Sequence, residues 1–393
     1  MIDKSVENKD CVGCYSCIQK CPKECIIMKK DKEGFYYPCI DKLSCIGCNV
    51  CEKVCPVLNK NMKSVYPLIS YAFIHKDEKK RKESSTAGAF IFCAEKVLNQ
   101  NGIVFGCTFD NNWQAKHISI EAIKDLYLLV GSKYVQSQIG NTYLDCELQL
   151  RLRRLVLFLG TPCQIAGLKS FLGKDYINLI CIDLICHGIP SPGVWDVYLN
   201  WRKTKMEQQL CKKLEICKVN FRNKMKGWCN YALQIEYKDG EGNVYEDFIL
   251  SWSADLYMIS FLKNLNVRPS CFKCKFRNQR SGSDITIGDY WKFYELYPEY
   301  ANDDKGVNAI IVNTPKGMSF FEKNDYRGFI TSYENVIYGN PQLIKSHIPH
   351  VNRSLFFKNL YDTEFDILID KSLNLSLRKK IIFKISQYIN NLK

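Results

Sequence analysis

Residues 11–22 read CVGCYSCIQKCP and residues 45–56 read CIGCNVCEKVCP. Both runs have the spacing C-x2-C-x2-C-x3-C followed by proline, so one short pattern is written twice near the start of the chain. Three cysteines spaced in this way surround one corner of an iron–sulfide cubane, whereas the fourth points to the other cluster of a two-cluster unit. The resulting assignment is crossed. Cys11, Cys14, Cys17 and Cys55 take one 4Fe-4S cluster, and Cys45, Cys48, Cys51 and Cys21 take the second. A pair of zinc sites is the competing reading, but zinc usually takes two widely separated cysteine pairs. Residues 1–60 are expected to form a domain of their own whose task is one-electron relay.

Outside that domain the composition is ordinary. The 393 residues leave room for two or three compact units. With 46% apolar and 24% charged residues the chain is neither largely disordered nor collagen-like. No run reaches the roughly 20 apolar residues of a membrane span. The first residues, Met1 to Asp10, are polar and lack the apolar stretch of a signal peptide, so a cytoplasmic location is expected. There the 21 cysteines stay reduced, which favours metal or cluster ligation over disulfides. The formal charge of +14 omits the negative charge that thiolate-ligated clusters bring. A basic surface still suits an acidic partner such as a small ferredoxin or another one-electron donor. No zinc finger, RNP-type motif or basic run with interleaved aromatics supports a nucleic-acid partner.

Residues 61–67 (NMKSVYP) read as a linker, after which strands and helices alternate as in an α/β layer. Strands are expected at 68–74, 102–109, 155–159, 177–185 and 308–313. Helices are expected at 87–99 (with Ser84, Ser85 and Thr86 as capping residues), 121–130, after Pro162, from Ser191-Pro192 to about 209, and at 254–265. Between 214 and 250 the pattern switches to short strands around the hairpin turn Asp239-Gly240-Glu241-Gly242-Asn243, which suggests a small β insertion. The expected fold is an α/β (α+β) domain with a mixed sheet over 68–340, its halves at 68–150 and 151–340, and a helical tail at 341–393. The end of that tail, 372–393, is basic and amphipathic, as suits a surface helix or membrane docking.

A second set of cysteines lies in loops: Cys163 in GTPCQ, Cys186 in CHG, and the pair Cys271 and Cys274. Two of these follow strands, where the loops of an α/β sheet converge on its crevice. The four suit a third 4Fe-4S cluster or four buried thiols. The run Ser84-Ser85-Thr86-Ala87-Gly88 offers hydroxyls and backbone N–H groups to a pyrophosphate, or simply caps a helix. Gly131-Ser132-Lys133-Tyr134 offers a cation, a hydroxyl and an aromatic to a flavin, or is a surface turn. Cys25, Cys39, Cys93, Cys107, Cys146, Cys181, Cys211, Cys217 and Cys229 form no ligand spacing and are expected to be small buried residues. The six tryptophans are read as core or interface.

Taken together, these blocks have a recognisable order, completed by NGIVFG at 101–106, RPSC at 268–271 and DITIGD at 284–289. Residues 1–60 resemble the bacterial two-cluster ferredoxins. From Cys11 to about Arg353 the chain resembles the coenzyme F420 hydrogenase/dehydrogenase β-subunit family, in a bacterial branch with an N-terminal ferredoxin domain, including forms associated with surface-polysaccharide synthesis. The resemblance implies an FAD-dependent, ferredoxin-linked oxidoreductase in which clusters feed a flavin that exchanges hydride with a soluble organic acceptor or a deazaflavin. It implies that Ser84, Ser85, Thr86, Gly88, Ser132, Lys133 and Tyr134 hold the flavin and that Cys163, Cys186, Cys271 and Cys274 hold a third cluster. Ala87 replaces the first glycine of a pair, which puts a close backbone approach at that point in question. His187 is a candidate proton donor because histidine titrates near neutrality, and Lys133 is the other catalytic candidate; Asp183, Arg280, Asp284 and Asp289 rank behind them. An electron-transfer subunit with catalysis on a partner chain is the alternative, and either a partner subunit or a homo-oligomer is compatible. Oxygen sensitivity, and hence an anaerobic host, is expected.

Overall fold

The computed structural model describes residues 2–58, 64–248, 251–321 and 326–374. In the N-terminal domain the sequence repeat is also a repeat of conformation. Gly13 and Gly47 have φ of 64° and 67°, and Tyr15 and Asn49 have φ of 67° and 57°. Each pair opens a one-turn helix, Ser16–Gln19 in the first run and Val50–Lys53 in the second. Between the runs, strands β1 (Ile26–Lys30) and β2 (Tyr36–Ile40) pair antiparallel. Asp31 closes their turn by accepting the N–H groups of Glu33 and Phe35, both at 3.0 Å.

The main sheet has eight strands: β3 (Ile69–Ile74), β4 (Ile103–Phe109), β5 (Ala115–Ile120), β6 (Val156–Gly160), β7 (Leu179–Leu184), then β11 (Ile285–Asp289), β12 (Asn308–Val312) and β13 (Arg327–Thr331). Between them β8 (Leu214–Asn223), β9 (Ala232–Asp239) and β10 (Val244–Phe248) form the separate three-stranded insertion. The main sheet has the order β13-β3-β12-β11-β7-β6-β4-β5 and is mixed: β4, β6, β7 and β11 run parallel, with antiparallel pairs toward both edges. Side chains alternate across it with the period of two that strands impose. Val104, Leu157, Leu159, Ile180 and Ile182 pack one face with the helix Ala89–Leu98. Ile103, Phe105, Val156, Phe158 and Leu179 pack the other with the helices Thr142–Arg151 and Pro162–Leu172.

Several expectations are corrected. Gly88, with φ of 89°, caps the helix Ala89–Leu98; Ser84 ends the preceding helix Glu78–Glu83 instead. A Cβ on Gly88 would lie 2.9 Å from His75 Cβ, so only glycine fits. The helix expected at 121–130 is a short 3-10 turn, Ile123–Leu128. Strands β5, β11 and β13 were not expected; ITIGD reads locally as a turn, and its partners β7 and β12 make it a strand. Residues 341–374 are built into the core: Phe356, Phe357, Phe365 and Leu368 pack with the long helix Pro192–Leu210 and with Phe35 and Tyr37 of the N-terminal domain. The linker residues 61–63 and the basic end of the tail, 375–393, lie outside the described residues.

The two parts are clamped together. Gly34 and Gly193 touch so closely that a Cβ on the first would lie 2.4 Å from the Cα of the second. Arg353 pairs bidentately with Glu33 at 2.9 and 2.6 Å. Ser16 Oγ donates to the Gly167 carbonyl at 2.8 Å, bringing the helix that begins at Pro162 against Cys14.

Candidate iron-sulfur and cofactor sites

Three small cavities are each walled by four of the singled-out cysteines. Cys11, Cys14, Cys17 and Cys55 surround the first, and Cys21, Cys45, Cys48 and Cys51 the second, so each combines three cysteines of one run with the last of the other. Cys163, Cys186, Cys271 and Cys274 surround the third. Among the described residues, no three His, Cys, Asp or Glu gather tightly enough to hold a single metal ion. The cysteines stand around spaces, as a cluster requires.

Local chemistry explains the third group. Thr161 and Gln164 form a reciprocal capping box with Pro162 in the first helical turn, which fixes Cys163 at the end of β6. Cys186 follows β7, and its carbonyl accepts from Arg277 at 3.1 Å. Pro269 opens the 3-10 turn Pro269–Lys273 that places Cys271 and Cys274 opposite. Burial raises the thiols of these sites: Cys14 and Cys186 to about 12, Cys271 to about 11, and Cys163 well above its ordinary value. Metal-free, these groups are therefore neutral thiols at neutral pH.

A larger cavity than these three, about 330 Å³, opens at the carboxyl ends of β6, β7 and β11. That is where an α/β sheet places its crevice, and the volume is at the lower end for small-molecule sites. All seven residues expected at a flavin reach it: Ser84, Ser85, Thr86, Gly88, Ser132, Lys133 and Tyr134. Two hydrogen bonds join their loops, from Ser132 N and Ser132 Oγ to Ser85 Oγ at 2.8 and 3.0 Å. Lys133 Nζ is held by the carbonyls of Leu128, Leu129 and Val130 at 3.3, 3.2 and 3.0 Å. Burial lowers its ammonium to about 8, so it remains a cation at neutral pH, and no carboxylate pairs with it among the described residues. Ala87 does not line the cavity; its N–H donates to Asn308 Oδ1 at 3.0 Å. Cys186, Gly188, Ile189 and Gln342 wall both this cavity and the third cysteine cavity.

Sequence reading missed three contributors. Arg222, from the β insertion, enters the cavity wall, donating to Asp289 at 2.8 Å and to the Ser85 carbonyl at 3.2 Å, with its guanidinium 3.9 Å from the Tyr231 ring. Asn308 also accepts from Ala89 N at 3.1 Å and donates to the Gly288 carbonyl, fixing the helix start to the sheet. His117 is buried in the cavity wall, its Nε2 at 3.1 Å from the Leu159 carbonyl and its Nδ1 without a partner. A carbonyl only accepts, so Nε2 carries the proton and Nδ1 is an unfilled acceptor. Burial lowers this imidazole to about 4. No local motif marks these residues, because every partner is distant in sequence.

Burial and the neighbouring His347, whose ring stacks 3.8 Å away, lower His187 to about 4, and Asn264 Oδ1 lies 3.0 Å from its Nε2. It is neutral near pH 7 and orients the loop after Cys186. Asp289 is occupied by Thr86, Trp228 and Arg222, and Asp284 accepts from Cys181 N and Thr314; both carboxylates are anchors. Asp183 lines the third cysteine cavity. Among the leftover cysteines, Cys39, Cys211, Cys217 and Cys229 are exposed rather than buried, and Cys25 lines the second cavity with its Sγ 3.5 Å from that of Cys21. Trp291 lines the large cavity, stacked 4.6 Å from Trp228. No helix among the described residues is long and apolar enough to cross a membrane.

No curated protein matches the chain. Among solved structures, a chain of the F420-reducing NiFe hydrogenase complex from Methanosarcina barkeri is 15% identical, covering 81% of this chain and 97% of that one with a TM-score of 0.43. Residues 10–59 match the family model of the 4Fe-4S dicluster domain. Residues 153–335 match the model for the C terminus of the coenzyme F420 hydrogenase/dehydrogenase beta subunit. Residues 153–335 are thus a region related to the C terminus of the coenzyme F420 hydrogenase/dehydrogenase β subunit, joined to a 4Fe-4S dicluster domain at residues 10–59 that makes the chain an iron-sulfur protein.

Proposed function

We propose that the chain is a ferredoxin-linked, FAD-dependent oxidoreductase acting on a soluble organic acceptor or a deazaflavin coenzyme. Cys11, Cys14, Cys17 and Cys55 hold an inner 4Fe-4S cluster, Cys45, Cys48, Cys51 and Cys21 an outer one, and Cys163, Cys186, Cys271 and Cys274 a third. The observation that carries the reading is a shared wall: Cys186 and the residues after it separate the third cysteine cavity from the large cavity by a single layer of chain. A flavin, when bound, converts single-electron delivery into hydride exchange.

The large cavity suits such a group on two counts. Among the described residues, Lys133 presents a cation with no carboxylate, and His117 Nδ1 presents an unfilled acceptor. The Ser84–Gly88 loop stands at the amino end of a ten-residue helix, whose positive dipole end favours a pyrophosphate. Ser85 and Ser132 tie that loop to the Lys133 loop, so both would hold one ligand together. Arg222 braces the wall from the insertion through its bond to Asp289 at the end of β11.

Iron, sulfide and flavin content of protein purified without oxygen tests the reading. About twelve iron atoms and one FAD per chain are expected on a three-cluster count. About eight iron atoms with no flavin would reduce the large domain to a non-redox module and overturn it.

A further inference from the structure

The two cysteine runs have the same fold but opposite surroundings. A Cβ on Gly47 would meet nothing within 4 Å, and Cys48 beside it is exposed. A Cβ on Gly13 would lie 2.4 Å from Gln136 Nε2 and 3.3 Å from two atoms of the Arg268 guanidinium. The glycine between Cys11 and Cys14 therefore makes room for an arginine of the other domain. Arg268 is 0% exposed. It donates to the Cys11 carbonyl at 2.8 Å, the Tyr36 carbonyl at 3.0 Å and Gln136 Oε1 at 3.1 Å, and lies 4.1 Å from the Tyr37 ring centroid. All three acceptors are neutral, and no carboxylate forms an ion pair with it among the described residues. Its own carbonyl accepts from Cys271 N at 3.0 Å, so the same residue touches the inner and the third cysteine sets.

A buried cation without an anion is costly unless the site itself brings one. Thiolate-ligated clusters are anionic and become more so on reduction, and burial alone would make reduction harder. We propose that Arg268 is the counter-charge of the inner cluster, raising its reduction potential so that the buried site accepts electrons as readily as the exposed one. This rests on the reading that Cys11, Cys14, Cys17 and Cys55 hold a cluster. Lys275, whose Nζ donates to the Val57 carbonyl at 3.0 Å, adds a second and more peripheral cation near Cys55.

EPR-monitored redox titration of the full-length, cluster-loaded protein tests it, with the inner signal identified by its loss in Cys14→Ser. Arg268→Gln should lower the reduced-to-oxidised ratio of the inner cluster at least tenfold at a fixed potential, which is 59 mV for one electron. Arg268→Lys, which keeps the charge, should stay within about threefold, and the outer cluster should not move. Gln136→Glu provides an independent route, since it sets a carboxylate against the guanidinium where Gln136 Oε1 already accepts, and Gln136 Nε2 has no partner to lose. It should shift the inner cluster in the same direction, and it decides the matter if Arg268→Gln does not fold. Full iron content with an unmoved inner potential in Gln136→Glu would overturn the role of Arg268. A wild-type protein without an inner signal would overturn the ligand assignment beneath it.

Discussion

Replacing Lys133 by methionine should alter two properties, the pH dependence of stability and the retention of flavin, while leaving stability at neutral pH nearly unchanged. Its ammonium falls from 10.5 to about 8 in the folded protein, and at about 1.4 kcal/mol per unit this is roughly 3 kcal/mol against the charged form at neutral pH. The side chain still touches the cavity, so water there trims the cost to about 1–2 kcal/mol. Methionine removes that cost but leaves three carbonyls without a donor, so the flavin-free protein should change stability by no more than about 1 kcal/mol. The pH dependence is the sharper signature. Between about 8 and 10.5 the unfolded chain binds more protons at this lysine than the folded one, so wild-type stability gains from it as pH rises through that window. The variant should lack that gain. Flavin retention should fall roughly 10- to 100-fold, as expected for losing a charged hydrogen-bond donor. Thermal melts of the flavin-free forms from pH 7 to 10.5 and FAD titrations at pH 7 read both effects. Equal pH slopes together with unchanged FAD affinity would refute the placement of a strained cation at the cofactor.

Gly13→Ala and Gly47→Ala both force an L-residue into left-handed backbone at about 1–2 kcal/mol, but only the first drives a methyl into Gln136 and Arg268, adding about 1–3 kcal/mol; equal melting shifts would refute the docked arrangement. Cys271→Ala should lower iron content by about a third on a three-cluster count, and constant iron removes it from the ligand set. Cys48→Ala should abolish electron entry from reduced ferredoxin while leaving flavin bound, and unchanged activity would refute entry at the exposed site. Cluster assembly on thiols held as high as about 12 must release protons, so reconstitution should be more complete at pH 8.5 than at pH 6.5, as iron analysis would show.

How far the site could be read from sequence follows the distance over which each residue acts. The crossed grouping of eight cysteines around two cavities was readable because the first three cysteines of a run are spaced to face one space, while the fourth, four residues further on, faces the other. The Ser84–Gly88 and Ser132–Tyr134 loops were readable as blocks, but not the Ser85–Ser132 hydrogen bond that joins them across 47 residues. Arg222 looked like any charge on a short strand, since Asp289, Tyr231 and the Ser85 carbonyl come from three other parts of the chain. For His187 the place beside Cys186 was readable, but not the stacked His347 that lowers it, which lies 160 residues away. The cap at Ala89 was misassigned because serine and threonine are favoured capping residues, whereas here the close approach of His75 demands glycine.

The repeat carries the strongest consequence of that distinction. Two runs alike in spacing, in glycine position and in backbone angles differ only in what another part of the chain brings to them. Gly47 faces open space with Leu43 and Ile46 exposed beside it at 98% and 61%, an apolar rim around the site nearest solvent. Gly13 faces Arg268, on the segment that also carries Cys271 and Cys274. An insertion of one residue between Arg268 and Cys271 would leave every cysteine present and both motifs intact while breaking the Cys271 N–Arg268 carbonyl bond. It should uncouple the sites, so that dithionite still bleaches the N-terminal clusters but electrons from ferredoxin no longer reach the flavin. Normal flavin reduction in that variant would show that the 268–274 segment does not set the spacing between the inner and third sites.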